Sequence, residues 1–455
     1  MKSRGGAVRR ATGAAGLHHP TQVISTGFAG AVLIGCALLS LPVATESGER
    51  ADLIDALFTS TSAVCVTGLI TVDTGTYWST FGEIVILVLI QAGGLGIMTL
   101  ATLLAVLVSR RLGLRARLLA QVETKSLTLR DVRRVVRNIV LFSLGTEAVI
   151  AVILTAVLLV GHDRPWGSAA YEGVFHAISA FNNAGFSPHS DSLMSYVSDP
   201  WVCLPIACAV ILGGLGFPVI FELRRSWRRP RGWSVLTRIT LAMTLVLLAV
   251  GTLTLTAAEY TNPRTLGPLE TSNKWLAGFF ASVMARTAGF NSIDTSAQGP
   301  ESLLATDILM FIGGGSAGTA GGIKITTFGL LAYVIWAEMR GEPGVRVGRR
   351  RVPSANQRQA LAVALTGIAA VVVSTFILLG LSTYSLDQVM FEATSAFATV
   401  GLSTGITDDL PTGGQVVLIV LMFIGRIGPL TVASALALRD RVRRYELPEE
   451  RTIVG

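Results

Sequence analysis

Eight apolar segments, each of roughly 20 residues or more and so long enough to cross a bilayer as a helix, constrain this chain more than any other feature. They fall near 22–44, 80–109, 138–161, 200–223, 234–258, 304–338, 358–383 and 414–438. Each odd-numbered segment is joined to the next by a shorter half-apolar stretch, at 52–64, 170–181, 272–285 and 387–397. Stretches of about 12 residues cannot span, and these read as re-entrant helices. The unit of span, short helix and span therefore occurs four times. Composition agrees: 51% of the 455 residues are hydrophobic and 15% charged, where soluble domains carry roughly 25% charged residues. The first apolar run exceeds the roughly 7 to 15 residues of a signal-peptide core and reads as an uncleaved span. The fold expected is an all-α polytopic membrane protein, with four repeats of span, re-entrant pore helix and span around one pseudo-fourfold pore.

Charge reports topology. The formal net charge is +8, and five basic stretches, Lys2 to Arg10, Arg110 to Arg137, Arg224 to Arg238, Arg340 to Arg358 and Arg439 to Arg451, hold 30 of the 37 Lys and Arg residues. The alternate connections are mainly acidic, so the positive-inside rule places the basic stretches and both termini in the cytoplasm and the short helices on the external side. No nucleic-acid partner is needed to account for the charge. The expected divisions are a cytoplasmic tail at 1–20, pore repeats at 21–112, 113–230, 231–342 and 343–440, and a second cytoplasmic tail at 441–455. Cys36, Cys65, Cys203 and Cys208 lie in apolar surroundings without CxxC spacing and indicate neither a disulfide framework nor a zinc site.

Each short helix ends in a glycine-centred string: Val66-Thr67-Gly68, Asn183-Ala184-Gly185, Thr287-Ala288-Gly289 and Thr399-Val400-Gly401. The glycines are 117, 104 and 112 positions apart. A pore that passes a dehydrated cation must replace its water shell with oxygen ligands, and backbone carbonyls serve if the chain can aim them inward. Glycine adopts the required φ at little steric cost. Each re-entrant helix would also turn its partly negative C-terminal end toward the ion. These twelve residues are the candidate ion-selective ring, with the ion held at their carbonyls. A second set, Gly93-Gly94, Gly213-Gly214, Gly313-Gly314 and Gly425-Arg426, recurs in the second span of each unit. The alternative for any one glycine is close helix packing of the small-xxx-small kind.

The sixth span carries Gly313, Gly314, Gly315, Gly318, Gly321, Gly322 and Lys324 within 12 residues. Glycine costs a helix about 1 kcal/mol relative to alanine, so this run breaks the helix inside the membrane. It contains GxGxxG, but after a transmembrane helix and not a strand, which excludes a dinucleotide loop. A loop at 313–322 that gates flow is the better reading. Arg426 stands where other units have Gly94, Gly214 and Gly314, deep in an apolar span where a charge costs at least about 2.5 to 3.5 kcal/mol unless paired or wetted. It either faces the axis and holds the loop's carbonyls, or pairs with an acid such as Glu147. Glu172 and Glu392 read as externally solvated or structural, and His176 as a hydrogen-bonded packing residue. A secondary transporter with broken helices is the alternative mechanism. An intramembrane enzyme would need a catalytic constellation that the spans lack.

These residues resemble the Trk/Ktr/HKT superfamily of potassium transporters over about residues 20 to 440. The four strings, the run from Gly313 to Lys324, and Arg426 carry the likeness. Within the superfamily the chain looks like the Ktr membrane subunits, because it begins directly with the first unit, where Trk subunits of the TrkH kind usually carry two further spans. The resemblance implies K+ as the transported ion, with no cofactor in this chain. It implies that Gly68, Gly185, Gly289 and Gly401 form the filter, a serine at the first of these going with sodium permeation in related plant transporters. It also implies a membrane homodimer in the plasma membrane, resting on a cytoplasmic ring of nucleotide-binding RCK subunits (KtrA-like) that respond to ATP or ADP. Sodium dependence belongs to some family members, and no residue here decides it.

Overall fold

A computed structural model describes residues 20–118, 129–348 and 350–438. The expected tails at 1–20 and 441–455 fall outside these residues, apart from Pro20, as does part of the first cytoplasmic joint. The first unit contains α1 (Pro20–Leu39), the short α2 (Leu53–Cys65), a single-turn α3 (Thr74–Tyr77) and the long α4 (Thr80–Leu118). The second contains α5 (Leu129–Gly161), the short α6 (Trp166–Asn182) and a second span in two pieces, α7 (Pro200–Leu215) and α8 (Phe217–Ser226). The third contains α9 (Val235–Glu259), the short α10 (Thr271–Met284), α11 (Pro300–Phe311) and α12 (Ile325–Met339). A hairpin of β1 (Arg346–Val347) and β2 (Arg350–Arg351) leads to the fourth unit, α13 (Ser354–Leu381), the short α14 (Leu386–Ala398) and α15 (Thr412–Leu438). Apart from that hairpin the described elements are helical; the protein is a multi-pass membrane protein in which a long helix, a short helix and a second long or broken helix follow one another four times.

Four described helices are individually long and apolar enough to cross a bilayer, and α7 with α8 makes a fifth when the bent pair is one span. The four second spans differ from one another. In α4 and α15 the helix runs unbroken through its glycine string. At Gly216 the span from 200 turns by 97°, which the sequence reading missed. Gly216 has φ +88° and Pro218 stands two positions on, so the chain loses helical geometry and then an amide donor within three residues. The sixth span breaks outright, leaving residues 312–324 non-helical between α11 and α12, as its glycine density predicts.

The short helices are the buried elements. Thr59, Ser60, Thr61 and Ser62 of α2 and Thr394 and Ser395 of α14 are all buried, while α5 and α13 present Leu141, Val149, Val152, Val372 and Phe376 outward, as lipid-facing helices should. Small residues let the second spans approach the short helices. A methyl group on Gly93, Gly213 or Gly425 would overlap the carbonyl oxygen of Val64, Phe181 or Phe397, each the penultimate residue of its short helix. These three glycines are therefore packing sites of the small-residue kind.

Replacing Gly425 by alanine should lower stability in detergent by about 1 to 3 kcal/mol through overpacking. Gly30, which faces open space, should tolerate alanine. Thermal unfolding of the two variants, followed by size-exclusion chromatography, separates them; equal midpoints would refute the packing role.

Candidate ion pathway

The four glycine strings meet in one closed ring. A Cβ built on Gly68 would strike the Ala184 carbonyl oxygen, on Gly185 that of Ala288, on Gly289 that of Val400, and on Gly401 that of Thr67. The same four positions lie 3.2, 3.0, 3.1 and 3.0 Å from the Cα of Gly185, Gly289, Gly401 and Gly68 in turn. Real Cβ atoms do not approach backbone so closely, so only glycine permits this spacing. The units follow in chain order around the ring, and the carbonyls that precede each glycine crowd its neighbour.

The backbone leading into the ring is held in the left-handed region. Val66, Asn183, Thr287 and Thr399 have φ of 57°, 62°, 73° and 50°, and the four glycines have φ of 93°, 71°, 76° and 98°. Asparagine tolerates this region, whereas valine and threonine are strained there and persist because the surroundings fix them. Three short helices end in the same Schellman pattern. In the first, the Val66 N–H donates to Ala63 O at 3.1 Å and the Thr67 N–H to Ser62 O at 2.8 Å; Asn183 and Ala184, and Thr399 and Val400, repeat this. The third string departs, with both Ala288 and Gly289 donating to Met284 O after a longer turn.

Side chains missed in the sequence reading brace the ring from behind. Ser62 and Ser395 each accept the N–H of the glycine six residues later, Gly68 and Gly401, at 3.0 and 3.1 Å, and Ser179 donates to Phe186 O at 2.8 Å. The serine six positions before the glycine in three of four units was a legible signal. Nine positions before it, His176 meets Ser187 Oγ at 3.2 Å, and Glu392 accepts from Ser403 Oγ, Thr404 N and Thr407 Oγ1 at 2.7 to 2.8 Å. Glu392 is wholly buried, so of its two expected roles solvation is corrected to bracing. Glu172 is likewise buried, 3.3 Å from His189.

On one side of the ring, a cavity of about 390 Å³ is lined by all four glycines together with Asp73, Asp294, Asp408 and His189. Three carboxylates lining one cavity favour cations. On the other side lies the chain from Gly313 to Lys324. Its Thr319 Oγ1 donates to Phe181 O and Asn183 Oδ1 at 3.2 and 2.9 Å, and its Thr319 N–H donates to Gly213 O at 3.1 Å. The Gly315 N–H donates to Gly214 O at 2.7 Å, and the Phe217 N–H, just past the bend, donates to Ala317 O at 3.3 Å. At its far end Gly321 packs on Ala398 O and Thr399 so closely that a methyl would overlap both. The loop thus reaches from the second unit to the fourth, against the same helix ends that feed the ring. Gly318 has no room for a side chain between the Gly213 and Gly214 carbonyls, Gly313 none against Gly321 O, and Gly314 none against Gly214 O. Gly322 has φ +63°, and Lys324 Nζ donates to Ala320 O.

Arg426 is 4% exposed, and its Nη1 donates to Thr319 O at 2.5 Å. Of the two partners expected for it, the loop carbonyl is the one observed. Glu147 instead accepts from Gln91 Nε2 at 3.1 and 3.2 Å, Ser143 Oγ at 2.9 Å and Asn182 Nδ2 at 3.3 Å, which ties α4 and α5 to the end of α6. Two side-chain amides and one hydroxyl thus satisfy the Glu147 carboxyl group without a cation. Among the described residues no group of three or more His, Cys, Asp or Glu could hold a metal ion, and the ring offers backbone oxygens instead.

A closed ring of four helix-fed glycine strings, with an intramembrane loop beneath it, defines a repeat-built cation-transport membrane protein. The chain belongs to the TrkH family, described as a cation transport protein, which it matches over residues 35–442. It is 44% identical over 422 residues to the Ktr system potassium uptake protein B of Bacillus subtilis (strain 168), covering 93% of this chain and 94% of that one. To the protein of the same description from Vibrio alginolyticus it is 42% identical over 437 residues, 95% of this chain and 94% of the other. In fold it is similar to the crystal structure of the potassium transporter TrkH from Vibrio parahaemolyticus, with a TM-score of 0.70 at 18% identity, covering 91% and 85% of the two chains.

Replacing Glu392 by alanine strands at least three buried donors, each worth roughly 1 to 3 kcal/mol when left unpaired. Apparent melting temperature in detergent should fall by several degrees, and Glu392→Gln, which keeps an acceptor, should fall less. Equal melting of both variants and the parent would remove the bracing role.

Proposed function

We propose that this protein takes up potassium across the cell membrane by passive, K+-selective conduction through one pore per protomer. The observation that carries the reading is ring closure: each glycine abuts the carbonyl of the next string, leaving backbone oxygens of all four units around one axis. Val66, Thr67, Gly68, Asn183, Ala184, Gly185, Thr287, Ala288, Gly289, Thr399, Val400 and Gly401 form the filter, and its carbonyls replace the ion's water. The four short helices direct their negative ends toward the ion. Potassium uptake is also the printed function of the relatives from Bacillus subtilis and Vibrio alginolyticus.

Below the filter, the segment Gly313 to Gly322 lies across the path as a gate, held by Lys324 within the loop and by Arg426 from the fourth unit. Arg426 adds a positive charge in a low-dielectric setting, a barrier to cations and a latch on Thr319 O in the same side chain. Opening requires the loop to leave the Gly213–Gly214 carbonyls and the Thr399 hydroxyl. The excess of Lys and Arg in alternate connections supports cytoplasmic termini and an acidic cavity that faces outward. The protein works as a homodimer on a cytoplasmic RCK ring that senses ATP or ADP, a reading that rests on the family resemblance and fits the word system in the relatives' names. Sodium dependence is tested in the same assay.

Two variants test the reading in proteoliposomes by paired K+ and Na+ uptake. Gly68→Ser puts a side chain where the Ala184 carbonyl lies and should lower K+ over Na+ selectivity roughly tenfold, about 1.4 kcal/mol; unchanged selectivity would overturn the filter assignment. Arg426→Gln removes the barrier and the charge-assisted latch and should raise K+ flux severalfold; flux at the parent's level would remove the gate assignment.

A further inference from the structure

The 97° turn at Gly216 leaves a groove that the ion pathway does not use. It has a volume of about 600 Å³, is lined by Gly145 and Val149 of α5, Leu212 of α7 and Phe221 of α8, and ends at Asn138 and Arg224. Its walls are mostly apolar, and Leu141 of α5, which also lines it, is exposed. The polar end is different in kind. Arg224 and Arg225 close α8, and Arg133, Arg134 and Arg137 are exposed on the first described turns of α5. Among the described residues no carboxylate forms an ion pair with any of these arginines; the ion pairs present are those of His162 and His189. Trp227, 65% exposed, follows with Arg228 stacked on its ring at 5.0 Å, the aromatic and cationic pairing of a membrane interface.

A slot that is apolar along its length and cationic at one end matches one amphiphile, an acyl chain bearing an anionic headgroup. We infer that the groove between α5 and the α7–α8 bend binds an anionic phospholipid of the cytoplasmic leaflet, its chain against Gly145 and Phe221 and its phosphate on Arg224. The leaflet follows from the orientation proposed above; the site itself does not depend on how ions are conducted. Charge complementarity selects the occupant. A zwitterionic lipid fills the slot equally well but gains nothing net from unpaired arginines, whereas an anionic one gains about 1 kcal/mol for each basic residue near the surface. The position is consequential, because α8 begins at Phe217, whose N–H holds the loop at Ala317 O.

The test uses the full-length protein in nanodiscs of phosphatidylglycerol and phosphatidylcholine in equal parts, with the lipid retained after delipidation counted by native mass spectrometry. The parent should retain phosphatidylglycerol over phosphatidylcholine by at least about fivefold, one basic contact's worth. Gly145→Leu fills the groove, and since nothing lies within 4 Å of a Cβ there it should fold normally while losing the retained lipid. Arg224→Gln should keep lipid but bring the two headgroups to within about twofold. Equal retention of both headgroups by the parent, or unaltered retention in Gly145→Leu, would overturn the inference. A change in the monomer–dimer balance of Gly145→Leu would overturn it too, by assigning the face to a second copy. Potassium uptake by the same samples reports separately on the conduction reading.

Discussion

Everything in this fold is arranged around the contact between one glycine and the next string's carbonyl. A polar backbone cannot lie bare in lipid, so four non-helical strings at membrane depth are stable only when enclosed. Here they enclose one another: Gly68, Gly185, Gly289 and Gly401 each fill the space against a neighbour's oxygen, and a methyl group anywhere in the circuit would open it. The strain of holding Val66, Thr287 and Thr399 at positive φ is sustained by the helix-end hydrogen bonds and the buried braces behind them. The ring in turn explains the rest: short buried helices to feed it, small residues to let the second spans close on those helices, and long lipid-facing helices outside.

The departures from fourfold symmetry gather on one side. The first and fourth units keep unbroken second spans, whereas the third breaks into a loop and the second bends where that loop docks. The bend at Gly216 frees the Gly213 and Gly214 carbonyls as acceptors for Thr319 and Gly315, and the break frees the donors that meet them. Break and bend are thus two halves of one structure, to which Arg426 of the fourth unit adds a hydrogen bond to Thr319 O. A repeat protein has acquired a transverse element by altering two adjacent copies of the same helix.

Much of this was legible because membrane folding leaves few options. Span length, the alternation of basic and acidic connections and the spacing of Gly68, Gly185, Gly289 and Gly401 specify the repeat, and the density of glycine from Gly313 to Gly322 specifies a break. The 97° bend was not legible, since Gly216-Phe217-Pro218 also suits an ordinary kink and the partner that exploits it lies 100 residues on. The serine braces were readable as a pattern but carry no chemistry by themselves. Glu392 and Glu147 were ambiguous because a lone carboxylate in an apolar run gives no hint of its donors: Ser403, Thr404 and Thr407 reach Glu392 only because the chain folds back after the fourth string, and Gln91 and Asn182 reach Glu147 from α4 and α6, Ser143 alone being a neighbour on its own helix.

The central claim is that backbone carbonyls of the four strings, and not acidic side chains, hold the transported ion. Anomalous scattering from crystals of the protein grown in rubidium in place of potassium tests it most directly. The account predicts density on the ring axis at the level of the Thr67, Ala184, Ala288 and Val400 carbonyls, absent from crystals grown in sodium. Rubidium bound only in the outer cavity beside Asp73, Asp294 and Asp408, with nothing inside the ring, would contradict it.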